Sequence, residues 1–221
     1  MKKNYQAVIF DMDGLLFETE MLYYEANLKA AQDFGMPYDF STYQQYIGIS
    51  DEEMFQGYHQ TFDATFGQET VDQMIARSYV YIKERFREGR VELKPGAKDL
   101  LVRLKQLNIK TALASSNTRY FIDLLLEKAE IAAYFDVVVS AEDVRLAKPD
   151  PEIFELAVER LAIPKNQALV LEDSKNGVLA ANAAGIDVIM IPDLIAPSEE
   201  LRTKAIAVYP SLVDIGEYFT D

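Results

Sequence analysis

Five short runs of consecutive, mostly apolar residues constrain this chain more than any other feature. They are Ala7-Val8-Ile9-Phe10, Thr111-Ala112-Leu113-Ala114, Val137-Val138-Val139, Leu169-Val170-Leu171 and Val188-Ile189-Met190-Ile191. A strand with one wet face alternates apolar and polar residues, whereas a strand covered on both faces reads as an unbroken apolar run. Helical patterns separate each run from the next. That alternation predicts an α/β fold: an open, parallel, Rossmann-like sheet with helices on both faces.

Between about Phe17 and Gly89 the strand-like runs stop, and long aromatic-rich amphipathic patterns replace them. An inserted all-helical cap domain is therefore expected over 17–89, with 1–16 and 90–221 forming the α/β core. Most of its aromatic surface, supplied by Tyr23, Tyr24, Phe34, Tyr43, Tyr46, Phe55, Tyr58, Phe62, Phe66, Tyr79 and Tyr81, is expected in its own core, with a minority facing a substrate. Gly89 and Pro95-Gly96 mark the return to the core, ahead of a helix over 97–107. Asp150 is placed to cap a helix whose first residue is Pro151. Ser174 is placed to start another, with a body of small residues ending at Gly185.

Charge and composition exclude whole classes of function. The 22 Lys and Arg against 36 Asp and Glu leave a net charge of −14 over 221 residues. Such a surface repels nucleic acid and anionic membranes, so neither is expected as a partner. It also repels phosphate esters, so any phosphate site must make its own local positive charge from a metal, a lysine or backbone amides. With no cysteine there is no disulfide, thiol nucleophile or Cys-ligated zinc. The one histidine, His59, lies in a polar helical stretch and reads as a surface residue without a partner, unable to support a Ser-His-Asp or multi-His site alone. Only four apolar residues stand between Met1-Lys2-Lys3-Asn4-Tyr5-Gln6 and Asp11, too short a stretch for a signal peptide's apolar core, and no later run approaches the ~20 apolar residues that span a bilayer. The expected location is the cytoplasm.

In open parallel sheets, ligands bind beyond the carboxyl ends of the strands. Four polar clusters fall at such positions: Asp11-Met12-Asp13-Gly14, Ser115-Ser116-Asn117, Lys148, and Glu172-Asp173-Ser174. Each has an ordinary reading, since Asp-x-Asp-Gly can be a turn, Ser-Asn or Asp173 a helix cap, and Lys148 a solvated charge. Turns and caps, however, do not require all four to share one edge of one sheet.

In these motifs the chain resembles the haloacid dehalogenase-like phosphatases, in the subgroup with a helical cap inserted after the first motif. The family's Asp-x-Asp-Gly motif is matched at 11–14, its Thr-Glu hinge at Thr19-Glu20, its serine motif at Ser115, its lysine motif at Lys148 and its acidic motif at Glu172-Asp173-Ser174. The resemblance implies a phosphatase acting on a small phosphate ester. Asp11 would be the nucleophile, and Asp13 would protonate the leaving oxygen and then deprotonate the attacking water. Mg2+ would be held by Asp11, Asp173 and the backbone carbonyl of Asp13, with Glu172 binding directly or through water. Lys148 and Ser115 would stabilise the transferring phosphoryl group, with Ser116 and Asn117 as further substrate-binding candidates. The cap would hinge near 16–19 and 89–93, and such an enzyme can work as a monomer.

Three rival readings follow from the same motifs. A sugar-phosphate mutase resembling β-phosphoglucomutase would return the phosphoryl group to a sugar. Against it, Tyr23 stands where that mutase has a histidine, and Gly48-Ile49-Ser50-Asp51 where it has a cap-loop arginine. A dehalogenase would need neither metal nor Asp13. A receiver-type switch would hold a phosphoryl group without turning it over, but the length of the chain and its helical insertion speak against that.

Overall fold

The computed structural model describes residues 4–47, 51–88 and 91–219. The chain divides into two compact units, Met1–Glu18 with Glu92–Asp221, and Thr19–Val91. Gly48, Ile49 and Ser50 of the mutase comparison, and Gly89 of the expected hinge, lie outside the described residues. Among the described residues no helix is long and apolar enough to cross a membrane.

The smaller unit contains α1 (Glu20–Asp33), α2 (Phe40–Gln44), α3 (Asp51–Phe66) and α4 (Gln68–Glu88). Its core gathers Ala30, Ala31, Met36, Tyr38, Tyr43, Tyr58, Phe62, Val71 and Met74. Burying tyrosine is tolerable only when its hydroxyl finds a partner. Tyr38 and Tyr58 therefore share a hydrogen bond of 2.6 Å, and Tyr43 donates to Glu20 Oε2 at 2.8 Å. His59 departs from its expected place at the surface. It is half-buried, with Nδ1 2.9 Å from Asp63 Oδ1 and Nε2 3.3 Å from Asp72 Oδ1. Asp63 is one turn further along α3, whereas Asp72 comes from α4, a pairing that local spacing does not reveal.

The larger unit is built on six strands: β1 (Ala7–Phe10), β2 (Lys110–Ala114), β3 (Val137–Val139), β4 (Ala168–Glu172), β5 (Asp187–Met190) and β6 (Ala207–Val208). They lie in the order β3-β2-β1-β4-β5-β6, and every pairing is parallel. The remaining helices are α5 (Ala97–Gln106), α6 (Arg119–Lys128), α7 (Glu152–Leu161), α8 (Lys175–Ala184), α9 (Glu199–Lys204) and α10 (Leu212–Ile215). One sheet face, with Ala7, Ile9, Ala112, Ala114, Ala168 and Val170, packs on the apolar sides of α7 and α8. Its alanines let those helices approach closely. Val8, Phe10, Leu113 and Leu171 alternate to the opposite face, where the Phe10 ring meets Phe135 edge-on with centroids 6.0 Å apart. Burial on both faces explains why β1 and β4 read as unbroken apolar runs.

Central β1 pairs with β2 on one side and β4 on the other. The direction of chain progression reverses between β1 and β4, so the strand ends part there and leave a crevice, the usual ligand position in such sheets. α7 begins at Glu152, one residue later than the sequence predicts, and Asp150 Oδ1 accepts the Glu152 N–H at 2.9 Å. α8 starts as expected at Ser174, whose hydroxyl accepts the Gly177 N–H at 3.0 Å, and ends at left-handed Gly185. The stretches flanking the helical unit are tied to each other: Lys94 N–H donates to the Leu16 carbonyl at 2.8 Å, and Glu18 N–H to Glu92 at 2.9 Å.

Candidate active site

Asp11 is the first residue beyond β1 and continues its ladder, donating its N–H to the Leu171 carbonyl at 3.1 Å. The chain then turns at Gly14, which has φ of 73°. A Cβ built on Gly14 would overlap Asp173 Oδ2. Glycine is thus required twice here, for the left-handed backbone and for the space.

Lys148 joins the clusters. Its ammonium donates to Asp11 Oδ1 at 2.6 Å, to Glu172 Oε1 at 2.7 Å and to the Ala114 carbonyl at 3.0 Å. All three of its protons are committed, and it also lies 4.9 Å from the centre of the Phe154 ring. The second oxygen of Glu172 accepts from the N–H and the hydroxyl of Ser174, both at 2.9 Å.

That fully buried glutamate leaves no room on α8, where a Cβ at Gly177 would collide with its carboxyl group. Gly177→Ala is expected to lose about 1–3 kcal/mol of stability through overpacking. Urea denaturation measures this against Gly216→Ala, which has open space around it. Equal midpoints for the two variants would refute the collision.

The hydroxyl of buried Ser115 accepts the Asn117 N–H at 3.1 Å, and the Asn117 amide donates to Asp13 Oδ2 at 2.9 Å. The cluster after β2 is thereby bonded to the cluster after β1. Ser116 is exposed and, with Arg145, Leu146 and Lys148, borders a cavity of about 180 Å³.

Asp11, Glu172 and Asp173 each offer one oxygen, and these oxygens lie within 4.8 Å of one another. With Asp13 this makes four carboxylates against the single ammonium of Lys148. Burial pushes the Asp11 carboxyl up to about 8, opposed by Lys148 and reinforced by Glu172 and Asp13. Burial also works against the charge on Lys148, but Asp11 and Glu172 outweigh it and hold the ammonium above the ordinary lysine range. An ionised Asp11 at neutral pH therefore needs further positive charge. The donor set, all carboxylate oxygen, is the kind that suits a hard divalent cation.

The sequence reading missed a second ion pair at the same sheet edge. Lys94 pairs with Asp193 and lies 2.9 Å from Glu18 Oε2. The available signal was position: Asp193 follows β5 much as Asp173 follows β4. Gly177 was also passed over, because it reads as an ordinary helix glycine.

A family model described as haloacid dehalogenase-like hydrolase matches residues 8–191. A phosphorylated carbohydrates phosphatase from Thermotoga maritima is 37% identical over 182 residues, 82% of each chain. CbbY from Rhodobacter sphaeroides, solved in complex with phosphate, superposes with a TM-score of 0.81 at 26% identity, covering 96% of both chains. β-Phosphoglucomutase from Clostridium difficile gives a TM-score of 0.76 at 25% identity, covering 96% of this chain and 93% of that one.

Proposed function

The chain belongs to the haloacid dehalogenase-like hydrolases and is a phosphatase, and on that premise we propose that it hydrolyses a small phosphorylated carbohydrate through an aspartyl-phosphate on Asp11. The observation that carries this reading is the buried Lys148 ammonium joining Asp11 to Glu172, beside Asp173. Asp11 attacks phosphorus, and Asp13 donates a proton to the departing alcohol oxygen. Asp13, its Oδ2 held by Asn117, then takes a proton from the water that hydrolyses the acyl phosphate. Ser115, whose oxygen already accepts from Asn117, has its own proton left for a phosphoryl oxygen, and Lys148 adds positive charge.

Asp11, Asp173 and the Asp13 carbonyl would hold Mg2+, with Glu172 direct or through water. When bound, the ion neutralises charge on the phosphoryl oxygens and on Asp11. The helical unit, Thr19–Val91, is the cap and carries substrate selectivity. The enzyme acts in the cytoplasm as a monomer.

Phosphate release across sugar phosphates, phosphoglycolate and nucleoside monophosphates tests the reading. Many turnovers are expected, fastest with sugar phosphates, lost in EDTA and restored by Mg2+. Activity that survives chelation would remove the metal from the mechanism, and a single stoichiometric phosphorylation would favour a receiver-type switch.

Structural likeness to β-phosphoglucomutase favours one second reading, phosphoryl transfer back to a sugar. Against it, Tyr23 stands where that mutase has histidine, and its ring packs edge-on against Phe86 with centroids 6.0 Å apart. Isomerisation of glucose 1-phosphate without phosphate release would decide for the mutase.

A further inference from the structure

Asp193 has the burial of a functional carboxylate but no role in the chemistry above. Its side chain is 7% exposed. Oδ1 is paired with the Lys94 ammonium, while Oδ2 is buried without a hydrogen-bond partner. A buried carboxylate oxygen left without a donor is costly, and folded proteins seldom retain one. Its position indicates which donor belongs there. A Cβ on Gly14 would lie 3.3 Å from Asp193 Oδ2 and would overlap Asp173 Oδ2, so the two carboxylates face the same bare patch of backbone. Two anions on one glycine call for a donor between them, and Lys94 is already engaged by Asp193 Oδ1 and Glu18.

We propose that Asp193 Oδ2 accepts a hydrogen bond from a water bound to the metal ion held by Asp173, with Lys94 fixing the carboxylate through its other oxygen. Mg2+ keeps several of its waters when bound by a few carboxylates, and those waters are strong donors that need acceptors. Asp193 is then a positioning residue that tunes metal affinity without touching the ion. Through Glu18 and the Lys94 backbone it also ties that affinity to the stretches flanking the helical unit.

The inference rests on the metal-dependent reading, and calorimetric titration of Mg2+ into the substrate-free protein separates the two. Wild type is expected to bind, Asp173→Asn to lose binding, and Asp193→Asn to bind about 10–100-fold more weakly. Lys94→Gln, which leaves Asp193 in place but unanchored, is expected to weaken binding by a smaller factor. It also carries the test if Asp193→Asn loses its cooperative unfolding transition. No binding by wild type would overturn the metal-dependent reading itself. Wild-type affinity in a folded Asp193→Asn, even with lowered metal-free stability, would overturn the inference alone and leave Asp193 as a structural anchor for Lys94.

Discussion

Asp11→Asn is expected to abolish turnover, by at least ~10⁴-fold, while leaving a folded protein. An amide of the same shape keeps the backbone bond to Leu171 and can still accept from Lys148, but it cannot form an acyl phosphate. The same substitution changes the pH dependence of stability. Burial holds the folded pKa of Asp11 at about 8, above its ordinary 3.8. Between those values the folded metal-free protein keeps a proton that the unfolded chain releases, so this group makes stability fall as pH rises. Asparagine has no such titration. Thermal melts in EDTA at pH 5 and pH 8 are expected to show the variant gaining on wild type at the higher pH. Residual turnover within tenfold of wild type would remove Asp11 from the nucleophile's place.

How much could be read without coordinates depended on how local each signal was. The strands β1, β2, β4 and β5 were legible because burial on both faces leaves an unbroken apolar run in the sequence itself. β6 was not, since Ala207 and Val208 are too few to form a run and owe their strand conformation to the edge of β5. α9 and α10, six and four residues long, are likewise too short for a helical period to register. In the site, the motif residues stood out because strand ends followed by acids, hydroxyls or glycine are local patterns.

The bonds between motifs were not legible. Asn117 and Asp13 are 104 residues apart, and Lys94 and Asp193 are 99 apart. Strand order alone decides which loops become neighbours, and spacing does not encode strand order. His59 illustrates the same limit in the helical unit, where the i,i+4 contact with Asp63 was open to inspection and the contact from Asp72 was not. Gly177 illustrates another: its value lies in an absent side chain, visible only once the Glu172 carboxyl is in view.

Lys148→Met is expected to damage both stability and catalysis, and the two losses can be told apart. Methionine fills much of the same space and keeps contact with the Phe154 ring, so packing is largely preserved. What disappears is the ammonium between Asp11 and Glu172, leaving these buried acidic groups without their donor and counter-charge, at a cost of about 3–5 kcal/mol. Glu172 retains its two bonds from Ser174; Asp11 has no such second support from a side chain among the described residues. In wild type, Asp11 and Glu172 outweigh burial and hold the Lys148 ammonium above the ordinary lysine range, so it stays charged at neutral pH. The deficit of the variant, read from urea melts in EDTA, should shrink from pH 8 to pH 5 as Asp11 takes up a proton. Added Mg2+ should recover part of the stability by supplying charge to the same carboxylates. It should not recover turnover, expected to fall about 10²–10³-fold with the loss of a donor to the transferring phosphoryl group. Unchanged stability at pH 8 would mean that the carboxylates find their counter-charge elsewhere, and Lys148 would then lose its place as the residue joining the clusters.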